Sequence, residues 1–256
     1  MLRHVHATRY VTPLREGGSL PGLVEGDDDG LYVVKFRAAG QGVKALIAEI
    51  VVGELARTLG LAVPEIVLVE IPAELGRTEP DPEINELVTA SAGLNVGLDF
   101  LPGALDYTPA QAGLIAPELA SAIVWLDALT TNVDRSARNP NLLLWHGAPW
   151  LIDHGAALYH QHAAIDLPAR ARDPFVLIAQ HVLLPRASEL AMVDGDLAAM
   201  ITPARVEAIL ALIPPSFLAA SGRPGVAEYG DYLLTRAAAP RPFLATAVDA
   251  REHDGA

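Results

Sequence analysis

The chain has no cysteine. That excludes disulfides, a thiol nucleophile, thiolate-bound zinc and iron–sulfur clusters. Lysine is almost absent: of 18 basic residues only Lys35 and Lys44 are lysines. Aromatics make up 5%, so the core must come from the Ala, Leu, Val and Ile that dominate a 51% hydrophobic content. No run of uncharged apolar residues is long enough to span a bilayer. The most apolar stretch, Leu119 to Leu129, is interrupted by Ser121 and Asp127. The N-terminal MLRHVHATRY lacks the apolar segment of a signal peptide. Positive charge is also scarce, with a formal net charge of −13 over 256 residues. A broad nucleic-acid surface needs clustered Lys and Arg and is therefore not expected. The expectation is a soluble, cytoplasmic protein that binds neither nucleic acid nor membrane. The Ala- and Arg-rich texture is most simply a genomic nucleotide bias. It leaves open why a lysine is kept at position 35.

Along the chain, Leu20 to Glu25 and Leu31 to Phe36 read as strands around the acidic turn Gly26 to Gly30. Gly17 and Gly18 mark a further turn before them. In residues 41–60, Val43, Leu46, Ile47, Ile50, Val51, Leu55 and Leu59 recur at helical spacing, and Gly60 fits a C-terminal cap. Ile66 to Ile71 reads as a strand. Residues 72–83 are rich in proline and acid and read as an exposed loop. Ile84 to Ala90 and Val96 to Leu101 are weaker strand candidates, separated by a turn at Ser91 to Asn95. Pro102–Gly103 breaks the pattern and marks a boundary between residues 1–101 and 102–256. Beyond it, Pro117 to Thr131 is an apolar helix, Asn132 to Asn141 is irregular, and Leu142 to Asp153 forms a hairpin turning at His146 to Pro149. From Phe175 the chain reads as helical with proline breaks, and the tail after Pro240 as partly ordered at best.

The chemistry concentrates in WLDALTTNVDRSARNPNLLLWHGAPWLIDHG, residues 125–155. Only five asparagines occur in the chain, and Asn132, Asn139 and Asn141 fall within ten residues of one another. A turn about Gly147 sets Asp153 opposite Asn141, close to Asn139. Hard oxygen ligands at one site suit Mg²⁺, which also takes substrate phosphates. Asp134, on the same loop, can accept a proton from an attacking hydroxyl. A cation for nucleotide phosphates is available in Lys35, at the end of a strand that follows a Gly-containing hairpin. Glu49 lies 14 residues on, in the next helix, where it can pair with Lys35. Lys44, near the start of that helix, is expected to be exposed.

The order of hairpin, strand lysine, helix with Glu, hinge, helix, Asp-Arg-xxx-Asn loop, hairpin and Asp resembles the protein-kinase-like fold. NVDRSARNPN with LIDHG, and QGVKALIAEIVVGELARTLGLAVPE, are similar to the HipA-like kinase family. The likeness covers roughly residues 10–160. It implies an α+β, two-lobed kinase-like fold, with a small β-rich lobe over 1–101 and a helical lobe over 102–256. It implies ATP and Mg²⁺ as nucleotide and cofactor, and γ-phosphoryl transfer to a hydroxyl of a protein Ser/Thr or a small molecule. Asp134 would be the catalytic base, with Arg135 of the Asp-Arg pair grouped with it. Lys35 would hold the α- and β-phosphates, supported by Glu49. Asn139 and Asp153 would hold the metal, with Asn141 as replacement or helper. Residues 92–101 would carry the hinge, and Gly17, Gly18 and Ser19 would cover the nucleotide. Two features depart from the pattern. His154 and Gly155 follow Asp153 in place of Phe-Gly, and the glycines at 17 and 18 are adjacent rather than spaced. The family's toxin role, antitoxin partner and DNA association are not carried over.

Three other readings stay open on sequence. His154, His160 and His162 could form a metal cluster and make a metallohydrolase. The fold could bind nucleotide without catalysis. It could also transfer AMP with the nucleotide reversed. Trp125 and Trp150 read either as substrate-stacking groups or as packing between helix and hairpin.

Overall fold

The computed structural model describes residues 1–14, 20–163 and 166–254. The turn residues Gly17, Gly18 and Ser19 therefore lie outside the described residues. Five strands close a barrel: β1 (Arg3–Pro13), β2 (Gly22–Gly26), β3 (Leu31–Lys35), β4 (Ile66–Ile71) and β5 (Gly93–Asp99), in the order β1-β2-β3-β5-β4. β1 runs parallel to β4, and the other neighbours are antiparallel. Closure leaves no open edge in this sheet. β1 is an addition to the sequence reading. Its signature is a short alternation in which Val5 and Ala7 point inward between exposed His4, His6 and Thr8. Val24, Tyr32, Val34, Val67 and Val69 fill the barrel with them.

Helix α1 (Val43–Thr58) follows β3. Every residue from Leu46 to Gly53 is buried, so this helix is apolar on all sides and sits inside the protein rather than on it. It shares one core with Leu68 and Val96 of the barrel and with Val206, Ile209 and Phe217 of the later helices. Gly60 ends it as expected. Its φ is 78°, Leu61 N–H donates to Ala56 O and Gly60 N–H donates to Arg57 O. That pair of bonds is the Schellman arrangement, which a glycine in the left-handed region adopts without a Cβ penalty.

Two strand expectations are corrected between β4 and β5. Ile84 to Ala90 is not a strand but part of helix α2 (Pro82–Ala90). Asp81 accepts from Glu83 N–H, Pro82 occupies the first turn, and Ile84 and Val88 are buried four residues apart on one face. Residues 72–83, read as a loop, include a short 3₁₀ turn over Leu75–Thr78 whose Leu75 is buried. β5 begins at Gly93, three residues earlier than expected, because the buried Asn95 is fully satisfied there. Its amide donates to Ser91 O and Gly93 O, and its carbonyl accepts from Arg37 N–H.

After β5 come β6 (Leu105–Asp106), helix α3 (Pro117–Thr130) and the hairpin β7 (Leu142–Trp145)–β8 (Ala148–Leu151), in a second sheet of order β6-β7-β8. The hairpin pairs Leu142 with Leu151 and turns on His146 and Gly147, both at positive φ. Asn141 therefore bonds Ile152 rather than facing Asp153, a shift of one residue from the expected register. Between the hairpin and Leu190 the described residues hold only short 3₁₀ turns, so the helical stretch expected from Phe175 starts later, with α4 (Leu190–Met200), α5 (Pro203–Leu210), α6 (Pro215–Ser221), α7 (Val226–Ala237) and α8 (Pro242–Asp254). α8 corrects the expectation of a loosely ordered tail, since Phe243 and Ala247 are buried and Phe243 meets Trp125 edge-on. Trp125 is core: its indole N–H donates to Asp194. Trp150 stacks edge-on against Trp145 on the hairpin. Among the described residues no single helix is long and apolar enough to cross a membrane.

Gly97 tests the tightness of the barrel. A Cβ there would lie 2.7 Å from Val69 Cγ2 and 3.1 Å from Val67 Cγ2, and stiff β-branched neighbours cannot swing aside. Gly97→Ala is expected to cost about 1–3 kcal/mol, read as a lower urea midpoint. An unchanged midpoint would show that the barrel wall yields.

Candidate active site

A cleft of about 1220 Å³ opens between the barrel and the β7–β8 hairpin. Val33, Leu98, Phe100, Leu101, Leu142 and Ile152 give it an apolar lining. Lys35, Asn139, Asn141 and Asp153 give it a polar one. Lys35 arrives as the last residue of β3, and Asp153 two residues after the end of β8. Their side chains form an ion pair of 2.5 Å across the cleft. Burial works against the Asp153 charge, but the Lys35 ammonium holds its carboxyl below the usual range. Asp153 has φ 53° and Asn141 φ 48°, so two of the cleft's polar residues stand in the left-handed region. Asp and Asn accept that region more readily than most side chains.

Asp134 gathers the two asparagines. Asn139 Nδ2 donates to its Oδ2 at 2.8 Å, and Asn141 Nδ2 to the same oxygen at 3.3 Å. With both amide nitrogens turned to Asp134, both amide oxygens are left for another partner. Together with the Asp153 carboxylate they make a set of hard oxygen donors, the kind a Mg²⁺ ion accepts. The residues present thus fit the ion. Burial, helped by the nearby Asp153 charge, raises the pKa of Asp134.

Glu49 is on α1 and buried, yet its ion pair with Lys35 is not formed. Its Oε2 accepts from His154 N–H at 2.9 Å, and its Oε1 has no partner. Burial pushes its carboxyl up to about 7, and Asp153 adds to the rise while Lys35 opposes it. Arg135 does not face the cleft either. Its side chain is wholly buried, with Nε 2.5 Å from Asp127 Oδ2. Its Nη1 donates to Asn141 O, and its Nη2 lies 3.4 Å from His154 Nδ1. It touches no group that could react, and that corrects its place among the catalytic residues.

Asp127 and His181 are the residues that sequence reasoning missed. Asp127 accepts from Arg135, from Asn132 Nδ2 at 2.9 Å and from His181 Nε2 at 2.9 Å. Asn132 Oδ1 in turn accepts from Asp134 N–H at 3.1 Å. Burial disfavours the Asp127 charge, but Arg135 and His181 hold the carboxyl well below the usual range. A carboxylate interrupting an apolar helix was the available signal for Asp127. His181 gave none, lying 54 residues away in sequence. Leu183 N–H donates to its Nδ1, so Nε2 carries the proton toward Asp127.

The histidines His154, His160 and His162 do not assemble a centre. Among the described residues no group of three or more His, Asp or Glu side chains could hold a metal ion. His154 is buried, and burial together with Arg135 pulls its pKa down to about 3. Lys44 is not free as expected. It is half-buried and donates to Gln161 O at 2.7 Å.

His181 supplies a pH test away from the cleft. Burial lowers its pKa, so the folded state keeps it neutral while the unfolded chain protonates near the ordinary value. Its contribution is fully present above that value and is lost as the pH falls below it. Gln offers the same donor and acceptor without titrating. The difference in Tm between wild type and His181→Gln is expected to move in the variant's favour from about pH 7 to about pH 5. A constant difference contradicts the neutral assignment.

The crystal structure of the proinflammatory kinase CtkA of Helicobacter pylori is similar over 94% of this chain and 97% of that chain, at 14% identity and a TM-score of 0.54. That likeness shows a shared fold. The crystal structure of the Golgi casein kinase is similar over 99% of this chain and 73% of that chain, at 14% identity and a TM-score of 0.47. No curated protein matches the chain. The family model described as HipA-like kinase matches residues 8–169, more than half of the chain and the whole of the cleft's polar set. The protein belongs to the HipA-like kinase family.

Proposed function

We propose that this protein is an ATP- and Mg²⁺-dependent phosphotransferase that moves the γ-phosphoryl group of ATP to a hydroxyl, on a protein Ser/Thr or a small molecule. The observation that carries the reading is the convergence of Lys35, Asp153, Asn139 and Asn141 on one cleft, with Asp134 behind the asparagines. In this reading the chain is a two-lobed kinase, with the barrel and α1 in a nucleotide lobe over 1–101 and the acceptor side in 102–256.

The base lies against the apolar lining, with backbone groups of residues 92–101 reaching adenine. Lys35 holds the α- and β-phosphates. Asp153 and the amide oxygens of Asn139 and Asn141 would hold Mg²⁺, which offsets phosphate charge when bound. Asp134 takes the proton of the acceptor hydroxyl as its oxygen forms a bond to the γ-phosphorus. The bond from that phosphorus to the bridging oxygen breaks, and its electron pair leaves on ADP. A carboxyl whose pKa is raised by burial suits proton acceptance better than a fully solvated one. Most of the rate comes from positioning and fixed charge rather than from covalent chemistry. Arg135 acts through the loop it anchors, as a positioning residue.

ATP with Mg²⁺ is expected to raise the Tm of wild-type protein. Lys35→Ala and Asp153→Asn should abolish that rise or cut it sharply. A full rise in both variants overturns the site. γ-labelled ATP, incubated with the protein alone and with host lysate, is expected to leave label on the protein or on one lysate component. Label on nothing, with ATP still bound, points to a nucleotide-binding regulator. In a parallel incubation with α-labelled ATP, label retained there but not from γ-labelled ATP points to AMP transfer.

A further inference from the structure

Among the described residues the cleft lining has a second cation. Arg138 stands on the cleft wall one residue before Asn139. Its side chain is exposed, and it has no hydrogen bond or ion pair to another described residue. The other cation among the described lining residues, Lys35, is already held by Asp153. Glu79, Asp99 and Asp106 also line the cleft, so its wall carries more negative charge than positive. A triphosphate carries more negative charge than one Mg²⁺ offsets. An acidic cleft that accepts it needs a further free positive group.

The backbone beneath Arg138 is fixed although its side chain is not. Ser136 N–H donates to Asn139 O at 3.0 Å, and Asn139 N–H returns a bond to Ser136 O at 3.2 Å. Arg135, at the start of this turn, is buried on Asp127, and Asn139, at its end, is bonded to Asp134. Arg138 therefore projects from a pinned turn beside a metal ligand. A surface arginine on a loose loop would lack that constraint. A guanidinium fork presents parallel donors that match phosphate oxygens.

Resting on the phosphotransferase reading, we propose that Arg138 binds the γ-phosphate of ATP. Lys35 serves the α- and β-phosphates, and Arg138, next to Asn139, meets the terminal group. It then distinguishes ATP from ADP and stays on the phosphoryl oxygens while that group moves.

The test compares binding of Mg-ATP and Mg-ADP by calorimetry to wild type, Arg138→Ala and Arg138→Lys. Arg138→Ala is expected to weaken Mg-ATP about tenfold while leaving Mg-ADP nearly unchanged, with Arg138→Lys in between. The Tm without nucleotide should not change, because Arg138 has no internal partner. An equal loss for both nucleotides assigns Arg138 to general phosphate attraction and overturns the γ-phosphate contact. An unchanged ATP/ADP ratio with reduced transfer assigns it to the acceptor and overturns it as well. Wild type that binds neither nucleotide removes the phosphotransferase reading itself. Wild-type binding with no ratio change in the variants removes this inference alone.

Discussion

The buried pair of Asp127 and Arg135 holds the site together. An ion pair with both side chains excluded from solvent is tolerated only when the remaining donors and acceptors are also satisfied. Here they are. Asp127 takes three donors, and Arg135 spends its remaining nitrogens on Asn141 O and the His154 ring. The consequence is mechanical. One carboxylate at the end of α3 fixes Asn132, and Asn132 fixes the backbone of Asp134. One guanidinium fixes the carbonyl of Asn141, the residue that begins the hairpin. The loop bearing the proposed base and the hairpin bearing the proposed metal ligand are tied to the same two charges. Neither can move without unpairing a buried charge, and that is costly in a low-dielectric core.

A second constraint is the sign of the molecule. A chain of net charge −13 repels phosphate unless the repulsion is reversed locally. The cleft lining does not do so by count, since Glu79, Asp99, Asp106 and Asp153 outnumber Lys35 and Arg138 among its described residues. Lys35 and Asp153 neutralise each other when no nucleotide is present, so the ammonium is kept in place without leaving a naked charge half-buried. Phosphates and a divalent ion would separate that pair, each taking the partner of opposite sign. Glu49 fits the same economy. By turning to the His154 N–H it fixes the residue after Asp153, and it leaves Lys35 to the cleft.

Much of this was legible in the sequence where the signal was local. The strand ending in Lys35, the α1 periodicity, the Gly60 stop and the hairpin about Gly147 all lie within one element and its cap. The polar loop that gathers Asn139 and Asn141 on Asp134 stood out because asparagine is rare in this chain and clusters there. The misses have a different cause. Ile84 and Val88 suit a strand by residue type, and only the Asp81 cap and the four-residue spacing speak for α2. β1 has too few apolar positions to announce a strand and depends on barrel closure against β4. α8 is held by Phe243 packing on Trp125, a contact made across the fold. Arg135 looked catalytic by adjacency to Asp134. Its burial follows from partners that only the fold brings near, and the direction of a side chain out of an irregular loop cannot be read from spacing.

The scarcity of lysine takes on meaning once the contacts are seen. Both lysines join the first part of the chain to the segment after the hairpin. Lys35 meets Asp153, and Lys44 meets the carbonyl of Gln161. Gln161 reciprocates with a bond to Lys44 O and accepts from the Tyr229 hydroxyl, so it pins the chain after the β7–β8 hairpin to both α1 and α7. Arginine fills most other cationic positions, including the buried ones where its fork serves several carbonyls at once, as Arg236 does with Ala128, Leu129 and Asp173. A compact ammonium on a flexible stem is what the two remaining places call for. In the proposed reaction one would change partners when phosphate arrives, and the other reaches a single carbonyl past a helix start. The composition bias explains the arginines. The two exceptions coincide with two contacts that tie the first part of the chain to the segment after the hairpin.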